Sequence, residues 1–181
     1  MGSIDDGISV KDPGHLLLVG FMGSGKSTAA RKLARRYGKV SFDTDIGITR
    51  MLDKTVPQIF DEEGEAGFRE HEYEYLRYLW DVEPAIVSCG GGIISTEKSR
   101  ALLKRLGFVV FMQVDPDEAV GRISSPRSRP LLANGGDYHA LYERRLPWYL
   151  EVADLTFDTS GMKPGQVAVE LGEILRERGL V

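Results

Sequence analysis

Apolar residues fall along the chain in short dense runs, separated by longer stretches with a helical rhythm. The runs at residues 15–19, 40–44, 85–88, 108–114 and 155–157 each have the length of a single strand. Residues 26–37, 46–52, 56–80, 96–106, 117–123, 138–153 and 166–178 carry the helical spacing. Five strands alternating with helices predict a parallel sheet covered on both faces, because parallel neighbours need crossover connections and those are usually helices. In such sheets ligands gather at the carboxyl ends of the strands.

Within 56–80, Ile59, Phe60, Phe68, Tyr75, Leu76 and Leu79 predict one buried stripe, and Gly64 and Gly67 predict a break or kink. Pro147 is expected to distort or restart the helix over 138–153. Residues 124–137 interrupt the alternation with Pro126, Pro130, Gly135 and Gly136 and little apolar spacing, which predicts a mobile loop acting as a lid. The polar residues 1–14 read as a flexible leader, of the kind a junction excised from a longer polypeptide leaves, ahead of a single domain over 15–181.

Composition narrows the function only by exclusion. The 181 residues are 42% hydrophobic and 28% charged, ordinary for one globular domain, and a net charge of −4 does not favour a nucleic-acid partner. The lone Cys89 can form neither an internal disulfide nor a cysteine-based metal site, which fits a reducing cytoplasm. No apolar stretch approaches the roughly 20 residues of a membrane span, and residues 1–14 lack the apolar core of a signal peptide.

The chemistry begins behind the first apolar run, where Gly20-Phe21-Met22-Gly23-Ser24-Gly25-Lys26-Ser27 spells G-x-x-x-x-G-K-S. Such glycines let several backbone N–H groups turn toward one anion, and the helix that follows adds its positive end. Lys26 would reach the β- and γ-phosphates, and the Ser27 hydroxyl would ligate magnesium. The strand before the loop and the helix after it are the context a phosphate loop requires.

Further carboxylates and cations follow. Asp43 and Asp45 close the second strand, and strand alternation would place them on one side, Asp43 near the magnesium waters and Asp45 near an acceptor hydroxyl. The bland reading makes Asp45 a helix N-cap. Arg69 lies in a charge-rich helical stretch where Glu65 has i,i+4 spacing and His71 belongs to a solvated face. Gly90, Gly91 and Gly92 end the third strand, letting backbone amides approach a ligand. That strand lacks the usual acidic residue, leaving Ser88 or a water to serve. Arg122, Arg127 and Arg129 flank or occupy the lid, and Arg145 could join Arg69 in gripping a carboxylate.

Taken together, residues 20–28, Asp43-Thr44-Asp45, Phe68-Arg69, the three glycines, Arg129-Pro130-Leu131-Leu132 and Arg145-x-Pro-x-Tyr149 closely resemble the shikimate kinases over residues 16–159. The resemblance implies a P-loop kinase fold of the nucleoside-monophosphate-kinase type, three layers α/β/α around a five-stranded sheet of order 2-3-1-4-5. It implies ATP and Mg2+ as cofactors and phosphorylation of the 3-hydroxyl of shikimate in aromatic amino-acid biosynthesis, by a monomer. Carried over by position, Gly23, Ser24, Gly25, Lys26, Ser27, Thr28, Arg122 and Arg129 bind ATP. Asp45, Arg69, Arg145 and Gly91, with Gly90 and Gly92 beside it, bind shikimate; Asp45, Lys26 and Arg129 are catalytic; Ser27, and Asp43 through water, hold the metal.

The chain departs from that pattern twice. Gly161-Met162-Lys163-Pro164-Gly165 stands where the family often has a basic contact to adenine, and Pro126 stiffens the lid. Three alternatives remain at this level. A gluconate kinase would share loop and fold. A guanine-nucleotide switch would need an N-K-x-D run, of which Asn134-Gly135-Gly136-Asp137 is only an echo. A silent relative would have lost Lys26 or Asp45.

Overall fold

The computed structural model describes residues 14–123 and 137–181. Five parallel strands, β1 (His15–Val19), β2 (Ser41–Asp43), β3 (Ile86–Ser88), β4 (Gly107–Gln113) and β5 (Leu155–Asp158), form one sheet in the order β2-β3-β1-β4-β5. The helices are α1 (Lys26–Tyr37), α2 (Thr44–Leu52), α3 (Val56–Leu79), α4 (Glu97–Leu106), α5 (Pro116–Gly121), α6 (Tyr138–Val152) and α7 (Pro164–Glu177).

Strand periodicity divides the core into two layers. Leu17, Val19, Val87, Cys89, Val109 and Phe111 face a cluster with residues of α3, α4 and α6, whereas Leu16, Leu18, Ile86, Val110 and Met112 face α1 and α7. Burial on both faces is what makes these strands continuous apolar runs rather than alternating ones. His15 ties the start of β1 to its surroundings: Nδ1 accepts the Ala85 N–H at 3.0 Å, which leaves Nε2–H to donate to Leu79 O at 2.7 Å.

The predicted stripe of α3 is buried, with Phe60 only half-buried, and Gly64 breaks the helix at φ 70°, ψ −177° while Gly67 does not. Two expectations fail. Helix α6 runs unbroken through Pro147, because burial of Leu141, Tyr142, Arg145, Tyr149 and Val152 on one face outweighs the roughly 3 kcal/mol cost of an internal proline. Strand β2 stops at Asp43 and α2 begins at Thr44, so strand alternation does not place Asp45. Among the described residues, no helix is long and apolar enough to cross a membrane.

Candidate active site

Strands β1, β2 and β3 deliver their carboxyl ends to one cavity of about 460 Å3. Its walls include residues 22–29, Asp43, Asp45, 88–91 and Arg122. The phosphate loop keeps its shape through glycine: Gly23 has φ 78°, and a Cβ there would lie 1.9 Å from the Ala119 carbonyl oxygen of α5. Inside the loop, Lys26 is 8% exposed and donates from Nζ to Phe21 O at 2.7 Å and to Ser24 Oγ at 3.2 Å. The loop therefore gathers N–H groups, a helix N-terminus and an ammonium at one place, an arrangement suited to a polyphosphate.

Beside it, Ser27 Oγ donates to Asp43 Oδ2 at 2.7 Å and lies 3.1 Å from Ser88 Oγ. Asp43 also caps α2, accepting the Ile46 N–H at 3.3 Å; the cap is thus Asp43 and not Asp45. Two hydroxyls and one carboxylate form a hard-oxygen set, too few to cage a cation but suited to magnesium, which keeps waters and leans on phosphate oxygens. No cluster of three His, Cys, Asp or Glu side chains able to hold a metal occurs among the described residues.

The glycine turn after β3 separates this half from a second one. A Cβ on Gly90 would sit 2.4 Å from Asp45 Oδ1 and 2.9 Å from Glu72 Oε1, and one on Gly92 would sit 2.2 Å from Arg69 Nη2. These glycines make room for side chains. Their backbone is partly committed: Gly90 N–H donates to Thr44 Oγ1 at 2.8 Å, and Gly91 O accepts the Tyr149 hydroxyl at 2.5 Å. Arg69 and Arg145 stand outside the lining of the large cavity, on the α3 and α6 side of the turn.

Both arginines are buried, at 7% and 2% exposure. Arg69 donates from Nη1 to Glu72 Oε2 at 2.6 Å and from Nη2 to Glu65 Oε1 at 2.9 Å. Burial pushes Glu72 up to about 7 against the pull of Arg69, with Asp45 adding to the rise. Burial also works to lower Arg69, but Glu72 and Glu65 outweigh it and leave it raised. The carboxyl carries the cost of this buried pair, because a guanidinium stays protonated at any accessible pH. Arg145 is lowered by burial, opposed by Tyr149 and reinforced by the like charge of Arg69, and its Nε has no hydrogen-bond partner among the described residues. Arg69 and Arg145 thus place two buried guanidiniums of like charge on one side of the turn, an arrangement suited to a bound anion.

On the opposite side, Arg122 Nη2 bonds Glu118 Oε1, Thr159 O at 3.0 Å and Met162 O at 3.4 Å, stitching α5 to the turn before α7. With it, Met162, Pro164 and Val167 complete the cavity wall. Below the glycine turn, Cys89 is 1% exposed and burial lifts its thiol far above the ordinary range.

Residues 22–176 match the family model described as Shikimate kinase. The chain belongs to the shikimate kinase family. A shikimate kinase of Moorella thermoacetica is 40% identical over 166 residues, covering 91% of this chain and 95% of the relative. One from Pseudomonas entomophila is 37% identical over 166 residues, covering 90% and 96%. The solved shikimate kinase from Acinetobacter baumannii, in complex with shikimate, superposes with a TM-score of 0.86 at 33% identity, over 93% of this chain and 96% of that one. A thymidylate kinase from Candida albicans, at 18% identity and TM-score 0.62, shares the fold.

The structure therefore brings together most of the residues singled out from the sequence. Gly23, Ser24, Gly25, Lys26, Ser27, Thr28, Asp43, Asp45, Gly90, Gly91 and Arg122 line the cavity, and Gly92, Arg69 and Arg145 adjoin it across the turn. Arg127, Arg129 and the lid at 124–136 lie outside the described residues, and Asp137 caps α6. Glu72, Thr44, Tyr149 and the apolar wall at Met162, Pro164 and Val167 were missed as site residues. Glu72 left a signal: it falls on the helical stripe formed by Phe68, Tyr75, Leu76 and Leu79, where an unpaired carboxylate has no place.

Proposed function

We infer that this chain transfers the terminal phosphoryl group of ATP to the 3-hydroxyl of shikimate, yielding shikimate 3-phosphate in the chorismate and aromatic amino-acid pathway. The observation that carries this reading is the buried pair Arg69 and Arg145 beside Asp45, one glycine turn away from the phosphate loop. A hydroxylated carboxylate answers both demands: its carboxylate neutralises the guanidiniums, and its hydroxyl meets Asp45. Family membership and the shikimate-bound relative support the same acceptor.

In this reading Lys26 and the loop amides hold the β- and γ-phosphates, and Arg122, Met162, Pro164 and Val167 form the wall for the base. Ser27, and Asp43 through water, would hold magnesium, which when bound neutralises phosphate charge. Asp45 orients the acceptor hydroxyl and takes its proton as the new P–O bond forms and the β,γ-bridging bond breaks, leaving ADP. Arg129 adds a cation over the phosphates. The protein works as a cytoplasmic monomer.

The test is ADP release measured with shikimate, gluconate and nucleoside monophosphates supplied separately. Turnover with shikimate alone is expected. Turnover with gluconate and none with shikimate would replace the acceptor.

A further inference from the structure

Two hydroxyl groups outside the phosphate loop and the paired charges grip the glycine turn from opposite sides. Thr44 is fully buried, and its Oγ1 accepts the Gly90 N–H across 46 residues of chain. Its place in the fold is informative. The last paired residues of β2 and β3 are Asp43 and Ser88, after which α2 turns away, so a side-chain oxygen takes over where the backbone ladder stops. The neighbours of Thr44 in sequence are Asp43, joined to Ser27, and Asp45, whose carboxylate fills the space beside Gly90.

Tyr149 approaches from α6. It is fully buried and stacked on Phe111 with ring centroids 5.0 Å apart, donates its hydroxyl to Gly91 O, and lies one helical turn on from Arg145 on the same buried face of α6. Each hydroxyl thus ties one glycine to a segment that carries an acceptor-side group: Thr44 ties Gly90 to the segment of Asp45, and Tyr149 ties Gly91 to the buried face of α6 that presents Arg145 one turn away.

We propose that Thr44 and Tyr149 are positioning residues for the phosphoryl transfer, Thr44 setting Asp45 against the acceptor hydroxyl and Tyr149 setting Arg145 against the acceptor carboxylate. This rests on the kinase reading above. The two hydroxyls serve different parts of the acceptor and carry different kinetic signatures. A base displaced by about 1 Å costs on the order of a hundredfold in rate, so loss of the Thr44 oxygen falls on kcat. A guanidinium released from its anchor weakens ground-state grip, so loss of the Tyr149 hydroxyl falls on the shikimate KM.

The experiment compares wild type with Thr44→Val, Thr44→Ser and Tyr149→Phe, reading kcat, shikimate KM and MgADP affinity by calorimetry. Expected are a kcat lowered by about tenfold or more in Thr44→Val, kcat within about twofold of wild type in Thr44→Ser, and a KM raised about tenfold with nearly normal kcat in Tyr149→Phe. MgADP affinity should be unchanged throughout. The inference is overturned if Thr44→Val turns over like wild type, if Thr44→Ser is as slow as Thr44→Val, if Tyr149→Phe keeps the wild-type KM, or if MgADP affinity collapses in parallel. Should Thr44→Val not fold, Thr44→Ser decides: near-normal kcat supports the oxygen's role and a tenfold loss overturns it. The wild type separates the two levels of argument, since its own failure to phosphorylate shikimate removes the kinase reading and the inference together.

Discussion

In the proposed transfer Lys26 and Asp45 serve different partners, and their loss should be read differently. On that proposal Lys26→Ala removes a charge from where phosphate charge would develop, and Asp45→Asn removes the proposed proton acceptor while keeping its shape. Each should lower kcat by roughly a hundredfold or more; near-normal turnover in folded Asp45→Asn would take Asp45 out of the mechanism. Glu72 adds a pH signature. Its carboxyl is held at about 7 against an ordinary 4.5, mainly by burial. The folded protein therefore binds this proton more tightly than the unfolded chain, and the resulting stability is full below about 4.5 and lost as pH rises through about 7. Between pH 5 and 8 the unfolding midpoint of wild type should fall relative to Glu72→Gln. A difference between the two that does not change with pH would refute the assignment.

The loops and helix ends show how much of the site could be read ahead of the structure. Strand and helix positions were legible because both faces of the sheet are buried, which leaves apolar runs too short for anything else. The phosphate loop was legible because its chemistry is local. Asp45 reached the site by another route than strand alternation, since Asp43 caps α2 and ends β2 one residue earlier. Thr44 and Tyr149 stand within the recognised motifs, but their contacts were not legible, because these lie 46 and 58 residues away and no local spacing encodes them. The same applies to Gly23, which as a motif position speaks of phosphate but in space also admits the Ala119 carbonyl. A Gly23→Ala protein should lose MgADP affinity by roughly tenfold or more, because both the positive φ and the backbone of α5 resist the methyl group. Calorimetry with MgADP reads this directly, and unaltered affinity would mean that α5 yields.

For the molecule as a whole, the cavity proposed for the nucleotide is walled by the ends of β1, β2, β3, α5 and α7, so occupancy should tie these elements together. At a MgADP concentration of about 100 times Kd, linkage adds about 2.7 kcal/mol, which for a chain of this size raises the thermal midpoint by roughly 5–10 °C. Chelating the magnesium with EDTA should shrink that rise; an equal rise with and without EDTA would remove Ser27 and Asp43 from metal binding. The position of Cys89 offers a second window on the same coupling. Its thiol is buried beside the glycine turn and resists ionisation, so its reaction with a disulfide reagent in solution depends on local opening around β3 and that turn. The chain thus carries its own clock for opening events: labelling of this single thiol in native buffer should be slow and should slow further when shikimate and MgADP are both bound. Rapid labelling indifferent to both ligands would show that the turn opens independently of the site it shapes.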